Sequence, residues 1–121
     1  MSSAPPASSL VLLSDLPKCA PGAKVRFLGC IDEYTVKTAT LRLKHNYPVL
    51  ADPVIAYLDI EHVLERAKNS DVDVGTWLNV IGYVQNIEHS TVSVQAILIW
   101  DAGNVDLEAY QNAIQARKVA S

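Results

Sequence analysis

Two stretches of this chain share one skeleton. Residues 22–31 read GAKVRFLGCI and residues 75–84 read GTWLNVIGYV; each opens on a glycine, alternates apolar residues, and carries a second glycine seven positions later. Alternation with a period of two marks a β-strand with one buried face. A glycine inside such a strand serves a bulge or a close backbone approach, because it has no side chain to pack. Two strands of this kind are expected to bend sharply, as closure of a small barrel requires. The repeat then expresses one mechanical problem met twice rather than a duplicated domain.

The rest of the chain supplies the partners for such a barrel. Residues 24–31 form a first expected strand, with Val25, Phe27, Gly29 and Ile31 on one face and Lys24, Arg26, Leu28 and Cys30 on the other. A polar connection, 32–37, leads to a second strand over 38–45, whose Leu41 and Leu43 alternate with Arg42 and Lys44. A third strand is expected over 54–59. The period then changes, and Asp59 can cap a short helix over 60–70 with Ile60, Val63, Leu64 and Ala67 on one face. Strands over 76–84 and 91–100 follow; the last becomes apolar on both faces near its end, which suggests that both are covered there. A final helix is expected over about 104–119, capped by Asn104 or Asp106, with acids in its first turn and Arg117 and Lys118 in its last. Five strands with a helix between the third and fourth is the order of a five-stranded Greek-key barrel, the OB-fold, here all-β with a helix after strand 3 and a second at the C-terminus. Residues 1–10, rich in Ala, Pro and Ser, read as a flexible tail, and 11–121 as one domain.

Composition narrows the functional classes. The chain has 121 residues, half of them hydrophobic, enough for one packed core. No apolar run is long enough to span a membrane. Cys19 and Cys30 read as free thiols of a reducing compartment. The formal net charge of −3 argues against binding nucleic acid by bulk charge alone. His45, His62 and His89 have no metal-ligand spacing with one another or with the cysteines, and no phosphate loop or catalytic triad is present, so no enzyme and no cofactor are expected. A thiol nucleophile at Cys19 or Cys30 is the low-weight enzymatic alternative.

Two surfaces remain as candidates. Lys24, Arg26, Arg42 and Lys44 point outward, and Tyr47, Tyr57 and Tyr83 are rings that can stack on bases, the pairing by which OB-folds hold single strands. Asp32, Glu33 and Asp59 can balance those cations, which makes the expected DNA contact weak or assisted. On the final helix, Leu107, Tyr110 and Ile114 share one stripe with Arg117 at its edge, beside a second stripe of Ala109, Ala113 and Ala116. One stripe can dock on the barrel, and the other is left for a partner helix. Self-association through the same helix is an alternative.

The glycine-led strands GAKVRFLGCI and VGTWLNVIGYV, with the ending W-D-A-G-N-V-D-L-x-x-Y-x-x-A-I-x-x-R-K, together resemble the smallest, Ten subunit of the CST telomere-capping complex, the fungal members most of all. The resemblance covers about residues 10–118. It implies a single OB-fold that pairs, mainly through C-terminal helices, with the N-terminal OB-fold of the Stn subunit. Tyr110, Ile114 and Arg117 would be the anchors, with Leu107 and Ala113 beside them, and a charge at Ile114 would abolish pairing while sparing the barrel. It implies a nuclear, telomeric location, an indirect link to a large DNA-binding subunit, and protection of the single-stranded 3′ overhang by the assembled complex. The smallest subunit of replication protein A, also one OB-fold with a C-terminal helix, is the alternative.

Overall fold

The computed structural model describes residues 8–49, 51–65 and 69–120. Its strands are β1 (Ser9–Leu10), β2 (Lys24–Thr35), β3 (Thr40–Lys44), β4 (Ile55–Asp59), β5 (Trp77–Glu88) and β6 (Thr91–Asp101), followed by helix α1 (Leu107–Ala120). Hydrogen bonding runs β2-β3-β4-β6-β5, and β5 returns to β2. The β4–β6 pair is parallel and the other pairs of this ring are antiparallel. This is the closed five-stranded barrel of the OB-fold.

The twin glycine-led strands are each other's partners. In the antiparallel β2–β5 ladder Gly82 lies opposite Val25 and Gly29 opposite Leu78. The ladder ends match as well. Gly22 N–H donates to the Val84 carbonyl and Val84 N–H to Ala23, while Gly75 N–H donates to the Ile31 carbonyl and Ile31 N–H to Thr76. The two segments are thus related by a local two-fold axis across their ladder. Gly22 and Gly75 enter it with φ of 89° and 94°, a conformation glycine adopts without the clash a Cβ brings. The interior glycines meet a different need. A Cβ on Gly82 would collide with the Gln95 carbonyl oxygen of β6, and one on Gly29 would come within 3.0 Å of Leu43 Cβ.

Alternation fills the barrel. Val25, Phe27 and Ile31, Leu41 and Leu43, Ala56 and Leu58, Leu78 and Val80, and Val92, Val94 and Ala96 are all buried in one cluster. Leu13 and Leu16 join them from a 3-10 segment over Leu13–Lys18, where a three-residue spacing puts both on one side.

Several sequence expectations shift. The polar connection at 32–37 is shorter than expected, because β2 runs on to Thr35. A register shift between Ile31 and Glu33 makes Asp32 an extra residue, so the buried phase passes from Ile31 to the half-buried Tyr34. The tail expected over 1–10 ends sooner, since Ser9 and Leu10 pair in parallel with Val25 and Arg26; residues 1–7 lie outside the described residues. In place of a helix over 60–70, residues 61–65 wind as turns and Asn69–Val72 as one 3-10 turn, with Ala67 outside the described residues. The apolar logic there holds nonetheless: Ile60 and Val63 enter the core, and Asp59 accepts from the Glu61 N–H at 3.0 Å. Among the described residues, the end of β6 is not covered on both faces. Ile97 is an extra residue in the β5–β6 register, and Ile97 and Leu98 are exposed, Leu98 by 48%.

Gly82→Val is expected to drive a branched side chain into the β6 backbone and to destabilise the barrel by about 3 kcal/mol or more. On a domain of this size that lowers Tm by roughly 10 °C. Gly29→Ala, which meets side-chain atoms rather than a backbone carbonyl, should lower it by less; thermal unfolding of the two variants checks the order.

Candidate partner and nucleic-acid interfaces

Helix α1 begins where the sequence supplies a cap. The Ala109 N–H donates to Asp106 Oδ1 at 3.0 Å, which selects Asp106 over Asn104 as the capping residue. Just before it, Gly103 turns the chain at φ 65°, its N–H on Asp101 Oδ1 at 2.6 Å.

The helix seats one stripe and leaves the other open. Leu107, Tyr110 and Gln111 are half-buried and Ile114 is 2% exposed, whereas Glu108, Ala109, Asn112, Ala113, Ala116 and Arg117 are exposed. Ile114, Leu28 and Leu12 are buried yet stand outside the barrel cluster. Leu28 lies on the outer face of β2, so α1 covers the barrel wall rather than filling its interior. Two residues expected to meet a partner, Tyr110 and Ile114, are therefore occupied by the chain's own barrel. Leu107 is half-covered, and Ala113 and Arg117 are free to meet another surface. A charge at Ile114 consequently strikes the seat of the helix first.

A histidine without metal-ligand spacing in the sequence holds this seat. His45 shares its strand phase with Leu41 and Leu43 and is 5% exposed. That parity was the available signal for a buried histidine. Its ring lies edge-on to Trp77 at 5.3 Å, tilted to Tyr110 at 6.1 Å and stacked with Tyr47 at 6.3 Å between centroids. Gln111 Nε2 sits 3.0 Å from His45 Nε2, so with the amide nitrogen donating the imidazole is neutral and accepts. Burial pushes the His45 pKa below its ordinary 6.5, against a smaller opposing effect of the Leu28 backbone. Burial likewise pushes Tyr110 up to about 12, with the Leu28 backbone and Arg26 opposing. Neither ring carries charge at neutral pH, as a site between helix and barrel wall requires.

The five residues expected at nucleic acid fall into two groups. Lys24 and Arg26 lie opposite Tyr83 and Ile81 of β5, with the Arg26 guanidinium 5.2 Å from the Trp100 ring centre. Arg42 and Lys44 lie opposite Glu33 and Cys30. Asp32 accepts a hydrogen bond from Lys44 Nζ at 3.4 Å and forms an ion pair with Arg42, whose Nε is 3.4 Å away, while Glu33 is 3.9 Å from Arg42. Tyr47 is half-buried against His45, and its carbonyl accepts from Ser14 Oγ at 2.7 Å. The exposed tyrosines adjoin cations across the strands, Tyr57 beside Arg42 and Tyr83 beside Lys24.

Arg42, Lys44, Asp32 and Cys30 rim a cavity of about 520 Å³ at this end of the barrel, with His45, Asn46, Pro53, Val54, Ile55 and Trp77 as its walls. Burial raises the Cys19 and Cys30 thiols above their ordinary pKa, Asp15 adding to the first. Neither cysteine has the lowered pKa of an activated nucleophile. Among the described residues no group of three or more His, Cys, Asp or Glu side chains could hold a metal ion, and no helix is long and apolar enough to cross a membrane.

The family described as Ten1, telomere capping, CST complex subunit, matches residues 1–115. The chain belongs to this family. It is 25% identical over 112 residues to protein ten1 of Schizosaccharomyces pombe, covering 92% of this chain and 94% of that protein. Its fold is similar to a chain of the S. pombe Stn1–Ten1 complex, with a TM-score of 0.74, 25% identity and 96% of each chain covered. A chain of U. maydis replication protein A bound to single-stranded DNA shares the fold at a TM-score of 0.63 and 19% identity, over 93% of this chain and 90% of that one. Family membership thus rests on sequence and fold together, and the replication-protein likeness on fold alone.

The depressed pKa of His45 fixes the sign of one pH effect. The unfolded state binds the proton more tightly, so the stability conferred by neutral His45 is complete above about pH 6.5 and is lost as pH falls towards the folded pKa. Stability is expected to decline through this window with a slope of at most about 1.4 kcal/mol per pH unit from one group. His45→Gln should flatten that part of the profile, as read by denaturant unfolding across pH 5–8.

Proposed function

We propose that the chain is a non-catalytic subunit of a telomere-capping assembly in the nucleus, at the single-stranded 3′ overhang of chromosome ends. It pairs there with the N-terminal OB-fold of an Stn subunit and is joined through it to a large DNA-binding subunit. The observation that carries this reading is its likeness, over 96% of both chains, to a chain of a solved Stn1–Ten1 complex. The geometry of α1 supports the mode of pairing. With Tyr110 and Ile114 seating the helix, Ala109, Ala113 and Ala116 form an exposed strip of small side chains, and small side chains allow helix axes to approach closely. Arg117 stands at the end of this strip, an interface-prone residue type. The exposed Ile97 and Leu98 offer an apolar patch on the barrel wall, Leu98 lying beside Ile81 and, beyond it, Arg26.

Co-expression with the N-terminal domain of the organism's Stn subunit tests the pairing. Ala113→Asp is expected to keep its Tm within about 2 °C, since exposed substitutions shift stability little. It should weaken the heterodimer at least tenfold, or about 1.4 kcal/mol. Ile114→Asp is expected to lower Tm in the free chain, because it places a carboxylate in a buried apolar seat. An Ala113→Asp chain that still pairs with wild-type affinity removes the small-residue strip from the interface.

The electrostatics support DNA contact that is weak outside the complex. Arg42 and Lys44 are tied to Asp32, leaving little net positive field. The isolated chain is expected to bind single-stranded oligonucleotides no tighter than on the order of 10⁻⁵ M at physiological salt, and to lose that binding steeply as salt rises. Fluorescence anisotropy at several salt concentrations measures both; nanomolar binding by the chain alone contradicts this view of its charge balance.

A further inference from the structure

We propose that the cavity walled by His45, Trp77 and Val54 is a subsite for one unstacked nucleobase of the bound single strand. The inference deepens the telomere-capping reading and rests on its claim that single-stranded DNA reaches this chain. The volume, about 520 Å³, suits a base with part of its sugar, and it falls in the range typical of small-ligand sites. The chemistry of the lining selects a base over a phosphate. A phosphate needs unopposed cations, and here each cation shares the Asp32 carboxylate. A base edge offers donors and acceptors side by side, which is what Asp32 with Arg42 and Lys44 can meet: the carboxylate accepts from an amino or ring N–H, and the cations donate to ring nitrogen or carbonyl oxygen. Trp77, Pro53 and Ile55 supply the apolar walls against which a base face is sheltered from water.

The subsite is also held rigid by α1. His45 forms one wall of the cavity, and its Nε2 is fixed by Gln111 of the helix. The segment that seats the helix therefore also sets the shape of the pocket, which ties occupancy of the cavity to the seating of the helix.

Cys30 makes the claim measurable. It lines the cavity and is partly exposed, whereas Cys19 lies outside it and is partly buried against the core. The full chain is incubated with a G-rich single-stranded oligonucleotide at low salt, and alkylation of each cysteine is followed by mass spectrometry while anisotropy reports binding. Cys30 modification is expected to slow at least threefold at saturation, with Cys19 unchanged. An oligomer of abasic sites with the same length and charge should bind through its phosphates and leave Cys30 at its free rate. Ile55→Trp, which fills the cavity from its partly exposed wall, should abolish the DNA-dependent protection while the salt dependence of binding persists. Binding by anisotropy with no protection of Cys30, or equal protection by the abasic strand, overturns the base subsite and leaves weak DNA binding standing. Absence of any binding at low salt, by the chain and by its heterodimer with the Stn domain, overturns the DNA contact itself and the subsite with it.

Discussion

Everything in this molecule depends on the ladder between β2 and β5. Without it the other strands form an open sheet with two unpaired edges, a state prone to edge-to-edge association. Closure brings two long strands together under strong curvature, and each segment answers with the same pair of devices. A glycine with positive φ starts the segment, and a glycine where a Cβ would be crowded sits within it. Because the strands run antiparallel, the devices fall at opposite ends of the ladder and leave the paired segments related by a local two-fold axis. Recurrence of GAKVRFLGCI as GTWLNVIGYV is therefore what symmetric closure asks of two paired strands. It needs no common origin of the two halves.

Two of the barrel's departures from regular alternation shape its candidate surfaces. Asp32 is an extra residue, and that slip turns both Asp32 and Glu33 towards the cations of β3. The same slip keeps Tyr34 in the buried phase. Ile97 is the extra residue on β6, and it leaves two adjacent apolar side chains exposed on the outside. One irregularity tempers the charge of the candidate nucleic-acid face, and the other opens an apolar patch. Both reflect the general placement of bulges where a side chain must be re-aimed.

The fold was largely legible because its signals are local. Strand phase, the paired glycines and the cap at Asp106 can each be read within a few residues. The limits of β2 and the turns at 61–65 were not, since a bulge changes phase without changing composition, and a few apolar residues at helical spacing satisfy a pair of turns equally well. The helix surface was half legible. Its two stripes were visible, but which one seats on the barrel depends on Leu28, a buried apolar residue on the nominally outer face of β2 whose backbone lies against Tyr110. Tyr110 and Ile114 were assigned to a partner because large apolar and aromatic residues serve a partner and an intramolecular seat with the same chemistry. His45 and Trp77 are separated by more than thirty residues, so no local pattern joins them.

The seat of α1 sets how far its two faces can act independently. The helix is fixed to the barrel by one buried isoleucine, one tyrosine whose hydroxyl is held neutral, and one amide on a neutral histidine. None of these contacts brings a charge into the seam, so the seat costs no ion desolvation, and its exposed face can be rich in small residues without loss of docking energy. A helix held this way presents a pre-ordered surface, which lowers the entropy lost when a partner helix joins it. His45 sits behind that surface and beside the cavity at once. Loss of its neutral form weakens the seat from the barrel side, while a ligand in the cavity meets a wall that the helix has already fixed. Under the proposals above, His45 thus stands between the helix that a partner would meet and the cavity that a base would enter.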